Sequence, residues 1–224
     1  MAYPSKTDRG LIISATLTFA EREGPEALTL RRLAAEIGVT PNAIYRYFRN
    51  LDVLVAAAAD AVAERLHHFV SEGMAMLPAN LPTEHRIRRL LALHSEFLAT
   101  KPALYQILFS ASQEAEAELP EPRWRGRLFR QSLEVIAPLV GPEDADAATM
   151  SLWSLMHGMW GLSRVGVLAE NSREAIERYA IDALIVGVRD APRPSDYGTA
   201  ASREPFTTFD DVDWSVAGPD DLRS

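Results

Sequence analysis

The sequence contains no cysteine. Disulfides and thiolate metal sites are therefore excluded, and the composition suits a reducing compartment. No apolar run approaches the ~18 residues that a membrane span needs. The opening MAYPSKTDRG lacks the apolar stretch of a secretory signal, so a cytoplasmic protein is expected. Alternating β-branched runs are almost absent, which leaves little basis for a sheet. The five histidines, His67, His68, His85, His94 and His157, are scattered with no i, i+4 pair, so no metal site is expected. No phosphate loop or dinucleotide fingerprint occurs. Gly161-Leu162-Ser163-Arg164-Val165-Gly166 spaces its residues as G-x-S-x-x-G, which is not a nucleophile elbow, and no strand precedes it. These gaps argue against an enzyme, and no cofactor is expected.

The chain does have enough apolar material for a real core: 224 residues, of which 47% are hydrophobic. Its net charge of −8 is unevenly spread. Residues 1–52 hold seven bases (Lys6, Arg9, Arg22, Arg31, Arg32, Arg46, Arg49) against six acids (Asp8, Glu21, Glu23, Glu26, Glu36, Asp52), a net of +1. Residues 190–224 hold three arginines against eight acids, a net of −5. The head is thus near neutral and the acidity lies in the body and tail.

Helical periodicity recurs throughout. A first helix is expected over about Thr7 to Glu23, closed by Gly24-Pro25, followed by a pair of short helices. A long fourth helix is expected from Leu51 to about Leu77. Its run Val55 to Ala59 is nearly all alanine, a surface on which another helix can pack closely. Thr83 begins a fifth helix to about Thr100, and Pro102 a sixth to about Ala111. Glu114 to Pro122 is acidic and proline-flanked and reads as an exposed loop. Three further helices cover about Arg123 to Leu139, with Pro138 as a possible kink point, then Glu143 to Glu170 and Ser172 to Arg189. The fold class is all-α with about nine helices. The expected division is 1–50, 51–190 and an acidic tail, 191–224, in which Pro, Ser, Asp and Gly indicate mobility. In that tail Phe206, Phe209 and Trp214 stand among Asp210, Asp211 and Asp213, so docking on the body is the alternative.

The most informative stretch is LTLRRLAAEIGVTPNAIYRYFRNLDVL, Leu28 to Leu54. Thr29 is positioned to cap a helix whose Leu30, Leu33, Ala34 and Ile37 share one face. Gly38 can end it in a left-handed conformation, with Val39 plugging the turn. Thr40 and Pro41 open the next helix. Ile44, Phe48 and Leu51 then face inward, leaving Thr40, Asn42, Ala43 and Arg46 outward, flanked by Tyr45, Tyr47 and Arg49. Small residues permit close approach to a major groove while Arg, Asn and Tyr supply donors. A surface helical hairpin with no nucleic-acid partner is the plainer alternative.

These residues carry a resemblance. Ala27-Leu28-Thr29, Leu33-Ala34, Gly38-Val39, Ile44-Tyr45-Arg46-Tyr47-Phe48 and Leu54 resemble the N-terminal domain of the TetR (tetracycline-repressor) family of bacterial transcriptional regulators. A weaker likeness follows in Phe97-Leu98-Ala99, Lys101-Pro102-Ala103-Leu104-Tyr105, Leu152-Trp153 and His157-Gly158, similar to a subgroup with a Trp, His-Gly type regulatory domain. The resemblance implies a three-helix DNA-binding head on a helical ligand-binding and dimerisation bundle. It implies DNA contacts from Thr29, Arg31, Thr40, Pro41, Asn42, Ala43, Tyr45, Arg46, Tyr47 and Arg49. Arg31 aligns with a position that can read guanine, with a solvated surface arginine as the alternative. Tyr45 and Tyr47 look like phosphate contacts. Family members often carry a lysine early in the fourth helix; here Leu51 stands there, and Arg49 is the candidate substitute.

In the body, Met150, Leu152, Trp153, Leu155, Met156, His157, Met159 and Trp160 make a helix apolar almost all round, so it needs cover on more than one side. A twin subunit would supply one side, through the last two helices. Trp153, His157 and Trp160 are also candidates to line a small-molecule pocket with Phe97, Tyr105, Phe109 and Phe129; ordinary core aromatics are the alternative. His157 needs a partner, from protein or ligand.

The reading that results is a homodimeric DNA-binding regulator, a repressor released from double-stranded operator DNA by a small, mainly apolar effector. The fourth helix would act as the lever. The alternatives are a ligand-independent regulator or activator and, from another class, a helical ligand-binding or scaffold protein without DNA function.

Overall fold

The computed structural model describes residues 7–120 and 123–190, and the expectations for the tail lie outside them. Among the described residues there are ten α-helices, one 3-10 turn and no strand. In order these are α1 (Arg9–Glu23), the 3-10 turn (Pro25–Ala27), α2 (Leu30–Glu36), α3 (Pro41–Tyr45), α4 (Leu51–Ala75), α5 (Thr83–Thr100), α6 (Pro102–Leu108), α7 (Gln113–Ala117), α8 (Trp124–Val140), α9 (Ala145–Arg164) and α10 (Glu170–Asp190). The all-helical expectation holds. Two compact units emerge, one from residues 7–66 with 100–120 and 123–126, the other from 67–99 with 127–190.

The first unit is built on α1, whose start the Asp8 carboxylate caps by accepting from Leu11 N at 2.8 Å. Ile12 and Phe19 from α1 meet Leu33, Ile44, Phe48 and Leu54 in one core. The alanines Ala56 to Ala59 are all buried, as their small volume invites.

Within the expected exposed loop, Glu114 to Pro122, the described residues up to Pro120 depart from that expectation. Ser112 Oγ accepts from Ala115 N at 3.3 Å and starts α7, which inserts Ala115 into the same core, and Leu119 follows just past the helix. Glu116, only 6% exposed, pairs with Arg125, 7% exposed, at 2.6 Å. A buried carboxylate is tolerable only with such a partner. Asp60 of α4 accepts from Trp124 N at 2.6 Å and caps α8; burial pushes its carboxyl pKa up against those backbone bonds.

In the second unit Ile87, Leu90, Leu91 and Leu98 of α5, Leu128 and Ile136 of α8, Leu152 and Met156 of α9, and Ile181 and Ile185 of α10 are all buried. Gly73 permits close contact with Leu93, whose Cδ2 would lie 2.4 Å from any Cβ added there. α8 continues through Pro138 to Val140. α9 stops at Arg164, short of the expected Glu170, because Gly166 turns left-handed at φ 74°. Val167 N then bonds Leu162 O at 3.0 Å and Gly166 N bonds Ser163 O at 3.1 Å, closing the helix.

His94 is buried in this unit, its Nδ1 donating to Leu90 O at 2.9 Å. Desolvation, aided by His157 and opposed by the Leu90 bond, lowers its pKa to about 4. The unfolded chain takes up this proton at about 6.5, before the folded one. Stability should therefore fall as pH drops from about 6.5 to about 4, by roughly 3 kcal/mol at the lower end. Urea unfolding of the protein and its His94→Asn variant across that range checks this. Identical pH dependence in the two would show that His94 is not the group responsible.

Candidate nucleic-acid interface

α2 begins where Thr29 Oγ1 accepts from Arg32 N at 3.2 Å. It ends at a left-handed glycine, Gly38 at φ 69°. Val39 N bonds Ala34 O at 2.9 Å and Gly38 N bonds Ala35 O at 3.3 Å, the paired closure that such a glycine permits. Val39 packs on the first unit's core, as a plug to the turn should. Pro41 occupies the first position of α3, where no N–H is needed. Thr40 precedes it without a side-chain capping bond, unlike Thr29. Ile44 and Phe48 are fully buried and Leu51 is half-buried, which fixes the inward face as expected. Asn50 Oδ1 accepts from Val53 N at 2.9 Å and starts α4.

Most of the head's arginines are engaged internally. Arg22 forks onto Glu36 at 2.9 and 2.6 Å and also bonds Glu23. Those bonds, Glu36 first, raise the guanidinium pKa and hold both carboxyls below their usual range. Arg32 donates to Ala27 O at 2.9 Å and to Glu23 at 3.1 Å, over the Phe19 ring. Arg9 stacks 4.6 Å from the Phe48 ring centroid and reaches Tyr47 O. Arg49 pairs with Glu118.

Against that background, Arg31, Asn42, Tyr45 and Arg46 are exposed and make no hydrogen bond or ion pair among the described residues. Tyr45 is 51% exposed, unusual for so large a side chain. Thr29, Thr40 and Pro41 are exposed beside them and Ala43 is half-buried. Tyr47 is half-buried and its hydroxyl donates to Thr7 O at 2.9 Å. The Arg49–Glu118 pair is not legible in sequence, because its members lie far apart in the chain and the acidic, proline-flanked segment around Glu118 resembles a loop.

The candidate pocket residues divide between the units. Tyr105 and Phe109 belong to the first, where their rings lie 4.7 Å apart and burial drives the Tyr105 pKa up. Phe97, Phe129, Trp153, His157 and Trp160 belong to the second. There Phe129 meets Trp153 edge-on at 5.5 Å, and Trp153 also contacts His94 at 6.1 Å and His157 at 6.3 Å. His157 Nδ1 donates to Trp153 O at 2.7 Å, and burial lowers its pKa. Phe97 contacts Phe69 at 6.0 Å. Trp160 lines a cavity of about 30 Å³ with Ser95, Met156 and Ser163, room for about one water.

Comparison with known proteins agrees with this geometry. Residues 12–58 match the family model described as bacterial regulatory proteins, tetR family. Residues 87–184 match the model of a tetracyclin repressor-like C-terminal domain. An uncharacterized HTH-type transcriptional regulator of Mycobacterium tuberculosis is 23% identical over 206 residues, 90% of this chain and 89% of that protein. Among solved structures, BioQ with its natural double-stranded DNA operator is similar at a TM-score of 0.58 and 19% identity, over 82% of this chain and 98% of that one. A TetR variant from Acinetobacter baumannii AYE in complex with minocycline is similar at 0.60 and 18% identity, over 81% and 96%.

The turn itself is testable. No atom lies within 4 Å of a Cβ added at Gly38, so Gly38→Ala is opposed only by its positive φ. It should destabilise by about 1–2 kcal/mol. Gly126→Ala, in α8 with equally open surroundings and no positive φ, should instead gain about 0.4–1 kcal/mol. Thermal unfolding of both variants reads the difference, and equal shifts would remove the conformational argument for Gly38.

Proposed function

Because this chain belongs to the TetR family of DNA-binding transcriptional regulators, we propose that it is a repressor that a small, mainly apolar effector releases from its operator. The observation that carries the DNA-reading part is the selective freedom of Arg31, Asn42, Tyr45 and Arg46 on the helix-turn-helix pair. In this reading Arg31 forks onto guanine O6 and N7, and Asn42 and Arg46 of α3 face the groove. Tyr45 and Thr40 hold phosphates, and Thr29, Pro41 and Ala43 allow close approach. Tyr47 exchanges its bond to Thr7 O for one donated to a phosphate oxygen. Arg49 exchanges Glu118 for a phosphate. The functional division remains 1–50 for reading and 51–190 for regulation and dimerisation, with the cytoplasm as the place of action.

Two features support an effector in the second unit. The aromatic cluster around Trp153 supplies apolar walls. His94 Nε2 and Thr149 Oγ1 are buried with no hydrogen-bond partner among the described residues, polar positions that a bound molecule could satisfy. BioQ was solved on operator DNA and the TetR variant with minocycline, so the shared fold accommodates both kinds of partner in those proteins. Release follows if the effector binds better to a state whose reading heads are spaced away from roughly 34–36 Å. α4, which contributes residues to both units, is the proposed lever.

Dimerisation is assigned to α9 and α10. Met159 is buried in its own subunit, but Ile176, Tyr179 and Val186 of α10 are 40%, 77% and 47% exposed. Exposed apolar residues gathered on one helix point to a partner surface. Val186→Glu should convert the dimer to monomer in sedimentation at micromolar concentration and lower operator affinity with it. A wild-type monomer under those conditions would remove the assumed operator geometry.

For DNA reading, Arg31→Ala should cost about 1–3 kcal/mol on the preferred operator and relax specificity at one base pair per half-site. Tyr45→Phe should weaken all sequences nearly equally. Affinity measured across an operator library separates the two. A uniform loss for Arg31→Ala would place that residue on the phosphates instead.

A further inference from the structure

A second cavity of about 450 Å³ lies wholly within the first unit. Pro25 and Glu26 of the 3-10 turn and Leu28 line it on one side, Leu51, Asp52 and Val55 of α4 on another. Gln106 and Ile107 of α6, with Ser110 and Ser112 beyond it, complete the wall. The size falls within the ~300–1,000 Å³ typical of small-molecule sites. None of its residues belongs to the aromatic set assigned to the effector.

The chemistry of the lining selects a ligand class. Pro25, Leu28, Leu51, Val55 and Ile107 offer an apolar body. The charged members, Glu26 and Asp52, are both acidic, and among the described residues no basic side chain lines the cleft. Gln106 Nε2 donates to Glu26, tying α6 to the 3-10 turn. Asp52 makes no hydrogen bond or ion pair among the described residues, so its carboxylate is available. Glu26 and Asp52 are exposed at the mouth of the cleft, where two carboxylates together repel an anion and attract a cation. Ser110 and Ser112 are already committed, to Ile107 O and Ala115 N.

We propose that this cleft binds an organic cation with an apolar body, held by Asp52 and Glu26 against Leu28, Leu51, Val55 and Ile107. The position gives the site a consequence. Leu28 adjoins the Thr29 cap of α2, and Leu51 opens α4 just beyond α3. A ligand here touches both segments that bracket the helix-turn-helix pair, so occupancy is felt by the reading helices directly. By linkage, DNA and cation then alter each other's affinity by the same factor.

Tetraphenylphosphonium is a suitable probe, with triphenylphosphine oxide as its neutral counterpart. Calorimetric titration of the full chain without DNA should show saturable phosphonium binding, about tenfold tighter than the oxide. Asp52→Asn should weaken the phosphonium about fivefold or more and leave the oxide unchanged. Ser110→Trp, which fills the cleft from an exposed position, should weaken both. Circular dichroism establishes that each variant is folded, and Asp52→Asn alone decides the matter if the tryptophan is not accommodated. Failure to saturate by about 1 mM, or wild-type phosphonium affinity in Asp52→Asn, overturns the proposal. Hydrogen exchange should slow at amides 28–33 and 51–55 on binding; unchanged exchange there overturns the direct link to the reading helices. Failure of the repressor reading would appear as absent operator binding, which these measurements do not involve.

Discussion

A helix of five residues has no stability of its own in water, because nucleation fixes several dihedrals before any hydrogen bond repays it. The exposed face of α3 therefore exists only through what its other face buries. Ile44 is completely inaccessible and Phe48, just past the helix, nearly so. Both enter a core shared with Ile12, Phe19, Leu33 and Leu54, and Arg9 covers the Phe48 ring from outside. The turn before α3 has to deliver the chain into that core within three residues, and a positive φ at Gly38 does so. Groove chemistry and head stability are thus one problem. Any change that loosens Ile44 or Phe48 displaces Asn42, Tyr45 and Arg46 together.

Much of the fold was legible because it is written in local signals. Caps, glycines and helical periodicity act over a few residues, and Thr29, Gly38 and Pro41 each marked its boundary correctly. Where reading failed, the determinant was a distant partner or an overlooked local one. The stretch holding α7 resembles a loop because it is acidic and flanked by proline, yet Glu116 is buried against Arg125, and Ala115 and Leu119 join the first unit's core. Composition carries no information about which charge meets which. The early end of α9 was legible in principle. Gly166 follows Val165 as Gly38 follows Ile37, and the same paired closure results; the helical pattern on either side concealed it.

The candidate interface was legible in outline and not in its electrostatics. Sequence placed Arg31, Asn42, Tyr45 and Arg46 outward, and they are exposed. It could not foresee that the Tyr47 hydroxyl bonds Thr7 O, or that Glu118 holds Arg49, since both contacts join segments far apart in the chain. Nor did it foresee the cleft, whose walls come from three separate stretches of chain. Aromatic residues drew attention to the body instead, where Phe129, Trp153 and His157 do cluster.

The arginines show how little uncompensated charge a protein of net charge −8 brings to DNA. A phosphate contact gains affinity by releasing counterions, with a salt slope set by the number of cations supplied. In this head Arg22 and Arg32 are tied to Glu23 and Glu36, so their charge is largely compensated before DNA arrives. Arg9 is turned onto Phe48 and the Tyr47 carbonyl. Arg49 would exchange one exposed anion, Glu118, for another, and exposed pairs contribute little net energy in either arrangement. Arg31 and Arg46 are the described arginines of the head whose charge is uncompensated by a direct partner. A single head built this way supplies few counterion-releasing contacts, and the long-range field of the chain opposes approach. Affinity must then come from directional hydrogen bonds to base edges and phosphates, and from presenting two heads at once. Pairing of subunits is, on this argument, a condition of useful DNA binding, because it doubles a contact set that is too sparse alone.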